Sequence, residues 1–255
     1  MPDRSSKTTA GGNADYSWAE FDTEAYFTHY YRELHPDDER VIRLTVAALA
    51  NARPTGDDLN VIDVGTGPNL FPLFAALPRA AHLTVWEYAP TNVAWLRAEL
   101  QRDQMRPQFE EFWAVVRDAW APARALADNP VPALRAKADI RRGSIFDLPE
   151  AQWDAGTMFF CAESITERLE EFDRACGCFA RAVKPGGVLA AAFLLRSGGY
   201  VVADRDFPVL TLSPPDIRAV FERLADGIEI EEIGVVEEEI RSGYSGMLFL
   251  TAKAR

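Results

Sequence analysis

Val61-Ile-Asp-Val-Gly-Thr-Gly-Pro-Asn69 decides how the rest of this chain is read. An apolar, β-branched run carrying one acid turns through two glycines one residue apart, and glycines let a backbone turn sharply and approach a ligand that a Cβ would exclude. A second apolar run, Leu83-Thr-Val-Trp86, ends at Glu87, twenty residues past Gly67. A carboxylate at the tip of a second strand can accept both hydroxyls of a ribose. Glycine turn plus acid is a nucleoside-binding arrangement at the carboxyl edge of a parallel sheet.

The same turn narrows the nucleoside. A dinucleotide fingerprint needs a third glycine three positions after Gly67, where the helix packs on the strand near a pyrophosphate. That position is Leu70, preceded by Pro68 and Asn69, and the chain has no Gly-Lys-Ser/Thr phosphate loop. A cofactor with a ribose and no phosphates fits, and S-adenosylmethionine is the common one.

Composition sets outer bounds. A chain of 255 residues has ample length for a sizeable core, and 48% hydrophobic with 26% charged residues is a globular balance. The net charge of −12 repels nucleic acid and anionic membrane surfaces, and Arg141-Arg142 is the only adjacent basic pair. The three cysteines, Cys161, Cys176 and Cys178, and the three scattered histidines, His29, His35 and His82, give no metal pattern. Reduced buried thiols in a cytoplasmic protein are expected. Neither a signal peptide nor a membrane-length apolar run is read in the chain.

Along the chain, polar residues 1–15 are expected to be disordered unless a ligand orders them. The segment 16–37 is unusually aromatic. A helix is predicted from about Asp38 to Asn51, then a strand at Leu59–Val64, a helix at Leu70–Ala76, a strand at 83–86 and a helix from Pro90 to about Arg102. Residues 103–138 do not fit a minimal strand–helix repeat; Phe109, Phe112, Trp113, Val116 and Trp120 mark an amphipathic helix in an insertion before a strand near Asp139–Ile140. Ser144–Asp147 is the next loop. Strand Thr157–Cys161, helix Glu167–Val183, a helix-stopping Lys184-Pro-Gly-Gly187 turn, strand Val188–Leu195 and a helix near Pro215–Leu224 follow. Ile228–Ile233 and Met247–Ala252 read as a closing antiparallel pair, with an acidic, solvated face over Glu229–Glu239. Strands alternating with helices argue a doubly wound α/β sheet in one domain, 1–255.

Three motifs resemble the small-molecule methyltransferases typified by phenylethanolamine, nicotinamide and indolethylamine or thioether methyltransferases. Phe21-Asp-Thr-Glu-Ala-Tyr-Phe-Thr-His-Tyr-Tyr31 is similar to that family's N-terminal tyrosine segment. Asp63-Val-Gly-Thr-Gly-Pro68 with Glu87-Tyr88 and Asn92 is similar to its cofactor loop, and Phe160-Cys-Ala-Glu163 with Val183-Lys-Pro-Gly-Gly187 to its fourth-strand edge and next helix. The resemblance implies a Rossmann-like sheet of seven strands, mostly parallel with an antiparallel C-terminal strand, helices on both faces and an aromatic lid at the N-terminus. It implies that Tyr26 and Tyr31 close over S-adenosylmethionine, that Gly65, Thr66, Gly67 and Asn69 face it, that Glu87 takes the ribose, and that Tyr88 packs on the adenine. Asn92 and Cys161 are further contacts. Ser144 and Ile145 flank the adenine, the serine standing where the family has an acid.

Methyl transfer from a sulfonium is an in-line displacement, so a protein supplies positioning, desolvation and a deprotonated acceptor. Glu163, just past strand four, is the expected catalytic acid or base. Tyr16, Trp18, Tyr30 and Tyr200 suit a flat apolar pocket for an aromatic acceptor, with Ser164, Arg196 and Ser197 as polar contacts. Arg196 and Ser197 stand where amine-methylating relatives carry a second acid, which argues against clamping a cation between two carboxylates and allows a substrate with a carboxylate or carbonyl, or one methylated on a ring atom. The expected acceptor is an amine, an N-heterocycle or an indole-type ring atom, ring carbon included, in secondary metabolism. The competing readings are a nicotinamide-dependent oxidoreductase and a non-catalytic cofactor sensor.

Overall fold

Alternation along the strands sends neighbouring side chains to opposite faces of one sheet. In the computed structural model, which describes residues 10–52, 59–120, 125–234 and 243–255, Val61 packs in one apolar cluster and Ile62 and Val64 in another. Ala190 and Ala192 alternate with Ala191 and Phe193 in the same way. A sheet buried on both faces needs helices on both, and it has them. Helices α2 (Pro36–Ala50), α3 (Phe71–Ala76) and α5 (Glu110–Trp120) cover one face; α7 (Leu169–Ala182) and α8 (Pro214–Leu224) cover the other.

Seven strands make the main sheet among the described residues, in the order β3-β2-β1-β4-β5-β9-β8. They are β1 (Leu59–Val64), β2 (Ala80–Glu87), β3 (Ala138–Arg142), β4 (Trp153–Phe159), β5 (Val183–Leu194), β8 (Ala225–Gly234) and β9 (Gly246–Ala254). The β1–β5 pairings are parallel, and β9 runs antiparallel to both β5 and β8. The strand order reverses between β1 and β4, and open α/β sheets bind ligands at such a switch point. Edge strand β8 exposes Glu229 and Glu232, charge that blunts edge-to-edge pairing; the acidic stretch from Val235 to Glu239 lies outside the described residues.

Several boundaries differ from the sequence expectation. The Lys184–Gly187 turn does not separate α7 from its strand: β5 already pairs at Val183 with Trp153, and the four residues loop out before pairing resumes at Val188 with Ala155. The 103–138 stretch holds two helices, α5 and α6 (Val131–Lys137), beside α4 (Pro90–Leu100). A hairpin, β6 (Tyr200–Val202) with β7 (Arg205–Phe207), was not foreseen. Its two-residue turn uses Ala203 at φ +52° instead of the Asn-Gly pair that announces such turns. Among the described residues no helix is long and apolar enough to cross a membrane. Cys161 and Cys176 are buried, Cys178 is half-buried, and all are free thiols.

Buried Arg79 fastens the first helix layer to the sheet. Its guanidinium donates to the carbonyls of Leu49 at 2.9 Å, Ala50 at 2.7 Å and Ala52 at 3.1 Å, where α2 ends. A cation satisfies those terminal acceptors and complements the helix dipole. Arg79→Ala should lower stability by about 1.5–3 kcal/mol, read as a fall in the urea midpoint at constant slope.

Candidate active site

Two glycines shape the floor of the site. Gly65 sits at φ +69°, and a Cβ there would lie 2.2 Å from Cys161 Sγ, so only glycine lets the β1 turn pack on the end of β4. The preceding acid braces that turn: Asp63 accepts from Thr66 Oγ1 and from Thr157 Oγ1, each at 2.5 Å. Burial pushes the Asp63 carboxyl up to about 6, the nearby Glu87 charge adds to this, and the two hydroxyls oppose it. Burial likewise drives the Cys161 thiol well up, so it packs here as a neutral group.

Glu87 closes the turn. Its Oε2 accepts from Gly67 N at 2.8 Å and its Oε1 from Ala89 N at 2.7 Å. Burial raises its pKa, and the Gly67 and Ala89 N–H groups, then Asn92, work against that rise. Asn92 in turn accepts from Thr23 Oγ1 at 2.7 Å, which ties α4 to α1 (Thr23–Tyr30).

The N-terminal segment lies across this floor and is ordered earlier than expected. From Ala10 onward it is stitched to the loop after β4 and to α7: Gly11 N donates to Glu167 Oε2 at 2.6 Å, Asn13 N to Glu171 Oε2 at 2.7 Å, and Asn13 Nδ2 to the Ile165 carbonyl at 3.2 Å. Disorder through residue 15 therefore does not hold for residues 10–15; residues 1–9 lie outside the described residues. Tyr31 OH receives Asn69 Nδ2 at 3.3 Å, joining lid to turn. Tyr26 is the aromatic hub, with ring centroids 4.5 Å from Tyr30, 5.2 Å from Phe21 and 6.0 Å from Tyr200.

Floor and lid enclose one cavity of about 830 Å³, its open mouth included. All twelve residues expected at the cofactor line it: Tyr26, Tyr31, Gly65, Thr66, Gly67, Asn69, Glu87, Tyr88, Asn92, Ser144, Ile145 and Cys161. Tyr88 stands at the rim, 45% exposed. Of the residues expected at the acceptor, Trp18, Ser164 and Tyr200 line the same cavity. Tyr30 lines a neighbouring cavity of about 340 Å³, its open mouth included, instead.

Tyr16, Arg196, Ser197 and Glu163 line neither cavity. Tyr16 packs its ring on Gly11. Arg196 is solvent-exposed at φ +52°, because the chain turns outward after β5. Ser197 is fully buried and donates to the Gly198 carbonyl at 3.1 Å. Glu163 is also fully buried, one residue from the lining Ser164; its Oε1 accepts from Leu194 N at 3.0 Å, which fastens the loop after β4 to the end of β5.

Sequence reasoning missed Phe160 as a site residue, although it was quoted in a motif. Phe160 adopts φ +54°, costly for a bulky residue, and lines both cavities together with Tyr26 and Tyr31. Its N–H donates to the Ala192 carbonyl at 2.8 Å, which holds it there. Nothing in the local sequence announces a positive φ. Asn13, Phe21 and Trp86 also line the larger cavity; from sequence Phe21 read only as the start of the tyrosine segment and Trp86 as the end of an apolar run.

Gly65→Ala should weaken binding of S-adenosylhomocysteine about tenfold or more by calorimetry, because strain and the Cys161 contact both displace the turn. Asp63 makes a pH prediction. Its folded-state pKa lies above the ordinary 3.8, so its contribution to stability is complete below about pH 4 and is lost as pH rises toward about 6. The loss is on the order of 2–3 kcal/mol, and Asp63→Asn should flatten this part of the stability–pH curve measured by urea unfolding.

The fold is shared with solved methyltransferases. The magnesium protoporphyrin IX methyltransferase of Synechocystis PCC 6803 with bound SAM superposes with TM-score 0.56 at 14% identity over 92% of this chain and 93% of that one. The DhpI-SAM-HEP complex does so with TM-score 0.52 at 15% identity over 91% and 94%. In sequence, the chain is 22% identical to the indolethylamine N-methyltransferase of Mus musculus over 95% of this chain and 96% of the relative. It is 23% identical to the phenylethanolamine N-methyltransferase of Bos taurus over 82% and 78%. The model of the NNMT/PNMT/TEMT family matches residues 10–255, which sets aside the nicotinamide-dependent reading. The chain belongs to this family and is an S-adenosylmethionine-dependent methyltransferase acting on small molecules.

Proposed function

We propose that the enzyme methylates a small aromatic acceptor, an amine, an N-heterocycle or an indole-type ring atom including ring carbon, in secondary metabolism. The observation that carries this reading is the aromatic part of the cavity: Trp18, Phe21, Phe160 and Tyr200 line the same space as the glycine turn and Glu87. Flat apolar walls with few polar groups favour a flat apolar ligand. The relatives named for indolethylamine and phenylethanolamine support an aromatic amine. The three free thiols support a reducing, cytoplasmic setting.

The residues fit the cofactor. Glu87 lines the cavity at the end of β2, where its carboxylate would receive ribose hydroxyls beside the Gly67 and Ala89 N–H groups it already holds. Tyr88, Ser144 and Ile145 would flank the adenine; Tyr26, Tyr31, Asn69 and the turn around Thr66 would hold the amino-acid end; Asn92 and Cys161 support Glu87 and Gly65. When bound, S-adenosylmethionine supplies a methyl group on a sulfonium, already activated for in-line displacement. The chain's own work is to align the acceptor and exclude water. The docked lid does the second through Tyr26, Tyr31 and Trp18.

Glu163 is placed to position rather than to touch. Its bond to Leu194 N fixes the loop that presents Cys161 and Ser164. Glu163→Gln should lower turnover while S-adenosylhomocysteine affinity stays within about twofold, since an amide oxygen still accepts that N–H. Equal loss of both would make Glu163 a general structural residue.

The test of the function is calorimetric titration with S-adenosylhomocysteine, followed by a mass-shift screen of aromatic amines and indoles with S-adenosylmethionine. One added methyl on one compound class is the expected result. Glu87→Ala should weaken product binding by about 1.5–3 kcal/mol per charged hydrogen bond lost; unchanged affinity would overturn the ribose assignment.

A further inference from the structure

The smaller cavity holds a carboxylate that the proposed mechanism does not use. Asp38, at the third position of α2, is only 4% exposed and lines this cavity with Tyr26, Tyr30, Tyr31 and Phe160. Among the described residues it has no hydrogen-bond donor and no ion-pair partner. Its neighbours are engaged elsewhere. Asp37 accepts from Tyr244 OH at 2.9 Å, Arg40 pairs with Glu231, and Arg43 pairs with Glu39 and Asp118. His35 lines the same cavity, and its charge acts on Asp37.

A buried carboxylate without a partner is expensive, and the α2 N-terminus offsets only part of that cost. Burial, then repulsion from Asp37, pushes the Asp38 carboxyl up to about 7. A bound cation would relieve both effects. The surroundings suit one: the Tyr26 and Tyr30 rings lie 4.5 Å apart and those of Tyr26 and Tyr31 6.1 Å apart, and aromatic faces attract cations. Among the described residues, no lysine or arginine lines either cavity, and the His35 charge at the smaller one already acts on Asp37. Arg196, which in sequence admitted a carboxylate-bearing substrate, is solvent-exposed.

We propose that Asp38 is a specificity-determining residue that anchors a cationic nitrogen of the acceptor in the smaller cavity, between the tyrosines of the lid and Phe160. Tyr26, Tyr31 and Phe160 border both spaces, so an acceptor anchored at Asp38 lies beside the cofactor cavity. This rests on the methyl-transfer reading above and narrows it to acceptors carrying a protonated amine or a comparable cation. The recognition element is then α2, not the loop after β5.

The test uses the full chain saturated with S-adenosylhomocysteine. It is titrated with tryptamine hydrochloride and 2-phenylethylamine hydrochloride, and with their neutral near-isosteres 3-propylindole and propylbenzene. The wild-type protein should bind each cation about tenfold or more tighter than its neutral counterpart. Asp38→Asn and Asp38→Ser, made together so that one misfolded variant does not decide the matter, should bring the ratio to about twofold or less. Their affinity for S-adenosylhomocysteine should stay within about twofold of wild type. Equal affinity for cation and isostere, no binding of either cation, or a preference that survives both substitutions would overturn the proposal. A wild-type protein that failed to bind S-adenosylhomocysteine would overturn the function itself, and the proposal with it.

Discussion

Glu87 ends β2 with its carboxylate held between the N–H groups of Gly67 and Ala89, and the site is organised around that clasp. It fixes the β1 turn against the start of α4. Its two N–H bonds work against the rise in pKa that burial imposes on the carboxyl. Asn92 carries the connection onward to Thr23 and the lid helix. Behind the turn, Asp63 and its two threonine hydroxyls set the spacing between β1 and β4, and Gly65 permits the close approach of Cys161. These contacts are short, buried and directional, so a small displacement of one strand end is felt across the whole floor of the cavity.

The lid is held by different physics. It brings few charges and many rings: Trp18, Phe21 and Tyr26 meet Tyr200 and Phe207 of the β6–β7 hairpin in a separate aromatic cluster. Its polar attachments run along its length, on Glu167, Glu171, Asn92, Arg106 and Asn69. A segment tied down at several points and rich in rings excludes water from the cavity without filling it. That is what transfer from a charged donor requires, since water in the site would screen the charge and misalign the acceptor. Phe160, strained just past the end of β4, lines both cavities with Tyr26 and Tyr31.

Much of this was legible in the chain. The strand–helix alternation predicted the sheet because buried strands and amphipathic helices impose different periods on apolar residues, and those periods survive in one dimension. The glycine turn and Glu87 were legible because close approach and ribose recognition each demand a residue type at a fixed spacing. The tyrosine segment, through its resemblance, pointed to residues that the structure brings to the same cavity.

What sequence could not supply was direction. Glu163 and Arg196 both follow strand ends at the ligand edge, yet one turns under the wall and the other turns out to solvent, as backbone angles set by distant packing dictate. Asp38 read as an ordinary helix-start acid, because nothing local shows that the lid tyrosines and Phe160 fold over it. The residue types, their spacing and the kind of cofactor were determined by the sequence itself. Which side chains share a cavity, and which carboxylate is left there without a partner, was decided only in the tertiary structure, where segments more than a hundred residues apart come into contact.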